Sequence, residues 1–259
     1  MSRRIAIASG KGGVGKTTTV TNLAASLASH GHAVIAVDAN FTAPNLGLHL
    51  GAPANTIHFH HVLRHQAKVH DAIHTHDNGG FHYIPAGLTL DDVRQVDIDA
   101  YLNSMADLHG HYDFILLDCA PGLGSDAMVG IGSAQELLVV VNPEWPSIAD
   151  AMKTIKFAEE LGVYTTGVIL NKRRNESIEP PTDQIESFLD APIIAEVPED
   201  HNVRKGIAYC SPVVLARPNS GAARTYRKLG AELVGREFVH DMTAIDRLRE
   251  MWKDLIDEY

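Results

Sequence analysis

Two lysines stand among four glycines near the start of the chain, in the stretch Gly10-Lys11-Gly12-Gly13-Val14-Gly15-Lys16-Thr17. Its spacing matches Gly-x4-Gly-Lys-Thr, the pattern of a loop whose glycines let successive backbone N–H groups turn towards phosphate oxygens. A helix opening at Lys16 would add its unpaired N–H groups, while the lysine reaches the β- and γ-phosphates and the Thr17 hydroxyl binds Mg²⁺. We therefore predict a nucleotide site whose phosphate-binding residues are Gly10, Gly12, Gly13, Val14, Gly15, Lys16, Thr17 and Thr18.

The elements that must position this loop alternate along the sequence. Apolar, β-branched runs predict buried strands at 4–8, 33–38, 81–85, 113–118, 136–142, 165–171 and 192–197. Helical patterns lie between most of them, at 16–30, 98–109, 147–161, 182–189 and 221–238. Such alternation is typical of parallel strands joined by helical crossovers, with helices on both faces. We predict an α/β fold of three layers, α/β/α, around a mostly parallel, twisted central sheet.

Composition limits the class of protein further. The chain has 259 residues, 45% of them hydrophobic, and its two cysteines give no disulfide framework, which favours a reducing compartment. The apolar run before Gly10 is too short for a signal peptide, and no segment approaches the length of a membrane span, so we expect a cytoplasmic protein. A net charge of −10 argues against bulk attraction to DNA or anionic lipid. Residues 201–240 nevertheless contain seven Lys or Arg and only two Glu, so a local basic patch stays an alternative.

Beyond the loop, the chain resembles the MinD/ParA family of P-loop ATPases, and among them most closely the archaeal MinD-like proteins. The likeness covers nearly the whole sequence, and its segments follow the family's order and spacing. They are KGGVGKTT (11–18), VDANFTAPNLGLHLG (37–51, resembling the first switch), DFILLDCAPGLGSDAM (113–128, a strand motif with the second switch), VVVNPEWPSIADAMK (139–153), GVILNKRR (167–174) and AEVPEDHNVRKGI (195–207).

The resemblance implies an ATP-dependent homodimer that hydrolyses ATP with Mg²⁺. Lys11 matches the family's signature lysine and would cross the dimer interface to touch phosphate bound by the other subunit. This role supplies the anionic partner that a second cation near a helix N-terminus needs. With Lys16, Asp38 and Asn40, it makes up the predicted catalytic set.

The same resemblance assigns the rest of the site. Thr17, Asp38 and Asp118 would hold the metal, and the N–H group of Gly122 would meet the γ-phosphate, so that the second switch senses its presence. Asn171 would bind adenine, in a base pocket completed by Pro198, Glu199 and Asp200. The alternatives are strand-end capping for the two aspartates and turn formation for Asn171.

One departure from the family concerns catalysis. The first switch usually reads Asp-x-Asp, whereas this chain reads Asp38-Ala39-Asn40. An asparagine can orient a water but cannot accept its proton at neutral pH. General-base assistance contributes roughly 10²–10⁴-fold to typical reactions, although phosphoryl transfer depends more on positioning and charge. We expect hydrolysis that is slow and stimulated by a partner.

The second departure is the C-terminus. We predict an ATPase domain at 1–240 and an amphipathic, acidic helix at 241–259. Its apolar face would carry Ile245, Leu248, Trp252, Leu255 and Tyr259. Within its stretch 244–259 the charged residues sum to −2, five acidic against three basic, whereas a membrane-surface helix is expected to be cationic. Packing on the protein's own core or on a partner is therefore favoured, with peripheral contact at the inner membrane surface as the alternative.

Two other features receive structural interpretations. Nine histidines fall between His49 and His82, and we interpret this segment as a solvated insertion rather than a metal site. Cys119 is interpreted as a small apolar residue.

Two functions are consistent with these features of the sequence. One is a MinD-like switch that closes as an ATP dimer, engages an unidentified protein activator or cargo, and releases it on hydrolysis. It would position the division site, DNA or a motility apparatus. The other is a nucleotide-dependent scaffold with negligible turnover because of Asn40. A biosynthetic ligase sharing the loop is disfavoured by Lys11.

Overall fold

An eight-stranded sheet runs through the computed structural model, which describes residues 2–53, 55–93 and 96–235. The strand order is β3-β4-β2-β5-β1-β6-β7-β8, and every neighbouring pair is parallel except β3 with β4. The strands are β1 (Arg3–Ser9), β2 (Val34–Ala39), β3 (His74–His76), β4 (Phe81–Ile84), β5 (Phe114–Pro121), β6 (Glu136–Val141), β7 (Tyr164–Arg173) and β8 (Ile193–Pro198).

Eleven α-helices and one 3₁₀ turn lie between or after these strands within the described ranges. The helices are α1 (Lys16–Ser29), α2 (Leu46–Leu50), α3 (Phe59–Leu63), α4 (Leu90–Val93), α5 (Ile98–Leu108), α6 (Ser125–Gly132), α7 (Trp145–Glu160), α8 (Thr182–Leu189), α9 (His201–Ala208), α10 (Val213–Ala216) and α11 (Gly221–Val234). The 3₁₀ turn is Val69–Ala72.

Both faces of the sheet are covered, which explains why the central strands read as unbroken apolar runs. Along β5, Ile115 and Leu117 belong to one buried apolar cluster, and Phe114 and Leu116 to the other. The first cluster includes α5 and α7, and the second includes α1 and α11. The predicted three-layer fold with a mostly parallel sheet is confirmed.

The long elements were predicted within a few residues, and the short ones were missed. Strand β3 and the helices α2, α3, α4, α6, α9 and α10 had no counterpart in the sequence-based assignment. Helix α7 begins at Trp145, two residues earlier than predicted, with Pro146 in its first turn. Proline is favoured there because its missing N–H has no helical partner to lose.

The histidine-rich segment corrects the prediction of a solvated insertion. Strands β3 and β4 extend the main sheet, and His60 is fully buried while His76 is 9% exposed. These rings are held by aromatic packing, such as His76 stacked on Phe81 at 4.9 Å between ring centroids. Within the described ranges there is no cluster of three or more His, Cys, Asp or Glu side chains suited to a metal ion. Cys119 is fully buried in the first apolar cluster, which confirms its interpretation as a small core residue.

The predicted C-terminal helix at 241–259 lies outside the described residues, as does the domain boundary at 240. Both stay predictions. Across the part of the chain that the structure describes, the helices are all too short or too polar to cross a membrane.

Candidate nucleotide-binding site

The phosphate loop connects β1 to α1 at the carboxyl edge of the sheet, where ligands of open parallel sheets bind. Gly15 precedes the helix with a left-handed φ of 106°, a conformation that other residues resist. A Cβ atom at Gly15 would also lie 2.2 Å from the Nδ2 atom of Asn171. The last glycine of the pattern is therefore required by both the backbone angle and the close approach of β7.

Lys16 points its ammonium group into the protein, and the residue is only 8% exposed. Its Nζ atom donates to the hydroxyl of Ser9 at 2.9 Å, a neutral partner. Burial lowers the pKa of Lys16, and the negative charge of Asp118 partly opposes that shift. A buried ammonium with a neutral hydrogen-bond partner is poorly compensated, so an anion entering the loop would be strongly favoured.

Thr17 and Asp118 meet as the sequence predicted. The threonine hydroxyl donates to Oδ2 of Asp118 at 2.6 Å, while the Oδ1 atom of that carboxylate is buried without a hydrogen-bond partner. Burial raises the pKa of Asp118 to about 6, against the lowering effects of the Thr17 hydrogen bond and the Lys16 charge. Oxygen atoms are the ligands that Mg²⁺ prefers, and it commonly keeps several waters. The unpartnered oxygen beside a hydroxyl therefore fits a hydrated Mg²⁺ ion.

Asp38 has a structural task that the sequence left as the alternative. It is fully buried and accepts hydrogen bonds from the backbone N–H groups of Asn40, Asn45 and Leu46, at 3.2, 3.1 and 3.0 Å. Burial and the charge of Asp118 raise its pKa well above the ordinary range, and the three N–H donors oppose that shift. Asp38 thus holds the first switch in shape and starts helix α2. Its predicted role as a metal ligand stays a prediction.

Asn40 and Gly122 both use their polar groups inside the chain. The Asn40 side chain donates to the carbonyl of Ala43 at 2.6 Å and accepts from its N–H at 3.2 Å. The N–H of Gly122 donates to the carbonyl of Ser9 at 2.9 Å. Contact of Gly122 with a γ-phosphate therefore requires this last bond to open.

Lys11 forms an ion pair within its own chain. Its Nζ atom lies 2.9 Å from Oε2 of Glu144, just before α7. The side chains are 34% and 60% exposed, and ion pairs of this kind contribute only about 0–1 kcal/mol. The lysine is accessible and weakly held, as its predicted contact with a second subunit requires.

The end of β7 secures the phosphate loop from the opposite side. Asn171 is 6% exposed and its Nδ2 atom donates to the carbonyl of Val14 at 2.7 Å. Lys172 has a left-handed φ of 60°, and its Nζ atom donates to the carbonyl of Gly13 at 2.8 Å. Sequence reasoning missed Lys172, because no local pattern shows that a lysine 159 positions away reaches the loop.

A cavity of about 700 Å³ brings most predicted site residues together. Those in its wall are Gly12, Gly13, Gly15, Lys16, Thr17, Thr18, Asn40, Asp118, Asn171, Pro198, Glu199 and Asp200. Gly10, Lys11, Val14, Asp38 and Gly122 lie around it rather than in its wall. The wall also contains residues that the sequence did not single out, including His49, Val203, Arg204, Ile207 and Tyr226. Three of these five lie on α9, within the quoted segment 195–207, which was the available signal.

Three residues of the predicted base pocket lie at the carboxyl end of β8. Pro198 ends β8, and Glu199 forms an ion pair with Arg174. Asp200 caps α9 by accepting from the N–H of Asn202 at 2.9 Å. The carboxyl end of β8 therefore forms part of the cavity wall.

Comparisons with known proteins agree with this geometry. A family model described as AAA domain matches residues 2–165, which contain the phosphate loop and both switches. An uncharacterised ATP-binding protein of Methanocaldococcus jannaschii is 39% identical over 238 residues, which is 92% of this chain and 90% of the relative.

Two solved structures extend the likeness. The septum site-determining protein MinD of Pyrococcus horikoshii, in complex with Mg-ADP, is 36% identical, with a TM-score of 0.86 over 90% of this chain and 96% of that one. A chain of the MinC:MinD cell division complex of Aquifex aeolicus is 27% identical, with a TM-score of 0.82 over 93% of this chain and 98% of that one. Since these likenesses run over nine-tenths of the sequence, the chain belongs to the MinD/ParA family of P-loop ATPases.

Proposed function

We propose that this protein is a MinD-like switch that binds ATP with Mg²⁺, closes as a homodimer, and is released by slow hydrolysis. The observation that carries the proposal is that the wall of one cavity contains both Lys16, whose ammonium is buried, and Asp118, one of whose carboxylate oxygens has no hydrogen-bond partner. Together they offer a positive group for phosphate and a negative group for a cation. This is the charge pattern of a Mg–nucleotide complex.

The chain's own residues would divide the work as follows. The backbone N–H groups from Gly12 to Thr18 bind the phosphates, and Lys16 neutralises charge on the transferring group. Thr17 and Asp118 hold the Mg²⁺ ion, which supplies further charge neutralisation when bound. Asn40, in the cavity wall, orients the attacking water once its amide leaves Ala43. Asn171 with Pro198, Glu199 and Asp200 receives the adenine.

Dimer formation would use Lys11. Leaving Glu144 costs little because the pair is exposed, and the lysine would gain a phosphate of the second subunit. The complex of MinC with MinD from Aquifex aeolicus supports partner binding as a family property. For this chain the partner is an activator or cargo protein of the division, DNA-partitioning or motility apparatus. The overall charge of −10 does not support contact with DNA or membrane.

Phosphate release from Mg-ATP tests the proposal. We expect slow turnover by the wild-type protein and none by Lys16→Ala, because the buried ammonium is lost. Lys156→Ala is the matched control, since Lys156 is exposed on α7 and should leave turnover unchanged. Equal phosphate release by Lys16→Ala and the wild type would overturn the assignment of this site.

A second candidate is a nucleotide-dependent scaffold with negligible hydrolysis. It is favoured by Asn40, which cannot accept a proton and whose amide is bonded to Ala43 through both of its polar atoms. The scaffold predicts tight binding of Mg-ATP with no phosphate release under any partner condition. The switch predicts release that Asn40→Asp accelerates.

A further inference from the structure

His60 lies in the histidine-rich segment, which the proposed ATPase function does not explain. The side chain is fully buried on α3, next to the first switch. Its ring packs edge-on against Phe41, with 6.1 Å between centroids and an interplanar angle of 82°. A fully buried histidine needs partners for both ring nitrogens.

Both nitrogens have backbone partners, and these fix the protonation state. The N–H of Gly87 donates to Nδ1 at 2.9 Å, so Nδ1 carries no hydrogen. The Nε2 atom lies 3.1 Å from the carbonyl oxygen of Phe41, an acceptor, so Nε2 carries the hydrogen and donates. His60 is therefore a neutral Nε2–H tautomer that bridges the loop after β4 to the first switch.

The hydrogen bond from His60 reaches the first switch directly beside a residue of the nucleotide cavity. Phe41 directly follows Asn40, whose side chain lies in the wall of the nucleotide cavity. The next residue, Thr42, is also held from outside, because its N–H donates to Oδ2 of Asp126 on α6 at 3.1 Å. The backbone after Asn40 is thus anchored on two sides.

We propose that His60 is a positioning residue for ATP hydrolysis, whose Nε2–H bond to the Phe41 carbonyl sets the backbone that carries Asn40. This inference rests on the proposed ATPase function. It assigns His60 no contact with nucleotide, because the ring lies behind the switch and acts through Phe41. Loss of the bond should slow turnover while leaving nucleotide affinity nearly unchanged.

Two polar variants separate the two hydrogen bonds. The amide nitrogen of His60→Gln can take the place of Nε2 and keep the bond to Phe41. His60→Asn is shorter, so it can keep an acceptor near Gly87 but cannot reach Phe41. Each variant loses one hydrogen bond, so both should lower Tm by similar amounts. The exposed His70, on the 3₁₀ turn, provides matched controls as His70→Gln and His70→Asn.

The expected results differ between the variants. His60→Asn should lower kcat about 10-fold with the KM for ATP changed less than about 2-fold, as expected for one buried hydrogen bond that acts on turnover alone. His60→Gln should keep kcat within about 3-fold of wild type, because the Phe41 bond survives. If the role of His60 were purely structural, kcat would fall to a similar extent in both variants, in step with Tm. Wild-type kcat in His60→Asn would overturn the proposal.

Hydrogen exchange in the absence of nucleotide gives a readout that does not depend on hydrolysis. The amides of Asn40, Ala43, Asn45 and Leu46 should exchange about 10-fold faster in His60→Asn and at the wild-type rate in His60→Gln and in the His70 controls. Unchanged exchange in His60→Asn would refute the positioning role even if the wild-type protein hydrolysed no ATP. Absence of hydrolysis by the wild type itself would refute the proposed function instead.

The tautomer can be tested in the wild-type protein, should His60→Asn fail to fold. Long-range proton–nitrogen correlation should show Nε2 protonated and Nδ1 unprotonated at neutral pH. The opposite tautomer, or a doubly protonated ring, would contradict the bridge between Gly87 and Phe41.

Discussion

Single residues at the phosphate loop are arranged for ligand binding at the expense of stability. Asp118 is almost completely buried, and one of its oxygens has no hydrogen-bond partner. Nearby Asp38 is also buried; burial raises the pKa of both carboxyl groups, and the charge of Asp118 raises that of Asp38 further. Such clusters persist at functional sites because a bound ligand relieves the unfavourable charge. The buried carboxylates should therefore lower the free energy of unfolding of the ligand-free protein.

Replacing Asp118 by Asn should stabilise the ligand-free protein at neutral pH. The pKa of Asp118 is raised from 3.8 to about 6, so folding favours the protonated form. The stability that the protonated carboxyl provides is fully present below pH 3.8 and is lost as pH rises through about 6. At pH 7 the protein therefore bears the full cost of burying the ionised carboxylate. Asp118→Asn removes a penalty of about 1–3 kcal/mol and keeps an oxygen to accept from Thr17.

Chemical unfolding across this pH window checks the prediction. The difference in the free energy of unfolding between Asp118→Asn and wild type should be near zero in acid and greatest at neutral pH. Added Mg-ADP should stabilise the wild type much more than the variant. A difference that does not vary with pH would contradict the raised pKa.

At the scale of elements, the ends of three strands meet at the loop. Strand β1 leads into it, β5 supplies Asp118, and the last residues of β7 include Asn171 and Lys172, whose side chains donate to loop carbonyls. The loop is therefore held by contacts between residues more than 150 positions apart. These bonds hold the loop in place before any phosphate arrives.

Asn171→Ala should loosen the loop. It leaves the buried carbonyl of Val14 without its donor, which costs about 1–3 kcal/mol in the free energy of unfolding. The affinity for Mg-ADP should fall at least about 10-fold, since the loop must then be ordered on binding and the proposed adenine contact of Asn171 is lost as well. Calorimetric titration and denaturant unfolding measure the two effects.

Lys172→Ala is the control for this prediction. Lys172 is exposed, so its bond to Gly13 competes with water and its loss should change stability by less than about 0.5 kcal/mol. An Asn171→Ala variant as stable as Lys172→Ala would show that the buried bond to Val14 does not hold the loop.

Sequence patterns predicted the long elements and the loop because each is encoded locally. The apolar run of β5 and the glycine spacing before α1 are examples. Strand β3 reads His74-Thr75-His76, which has no apolar signature, and it forms by pairing with β4 at the sheet edge. Helix α2 starts where Asp38 accepts from the N–H groups of Asn45 and Leu46, a contact that no periodicity shows. The partners of Lys11 and His60 likewise come from elsewhere in the fold.

At the scale of the whole molecule, the described chain presents a nucleotide cavity and, beside it, an accessible lysine. Among the described residues, the ammonium of Lys11 bonds to exposed Glu144, whereas Lys16 is buried in the wall of the cavity. The two loop lysines therefore differ: the first is partly exposed and the second is buried. We propose that Lys11 gains a stronger partner in phosphate bound by another copy of the chain.

Light scattering on the purified protein with Mg²⁺ and a non-hydrolysable ATP analogue tests this claim most directly. We predict twice the monomer mass for the wild type, the monomer mass with ADP, and a monomer for Lys11→Ala, which should still bind the analogue with wild-type affinity. The matched control Lys153→Ala, on α7, should dimerise normally. A Lys11→Ala protein that forms the same analogue-dependent dimer as the wild type would contradict the account.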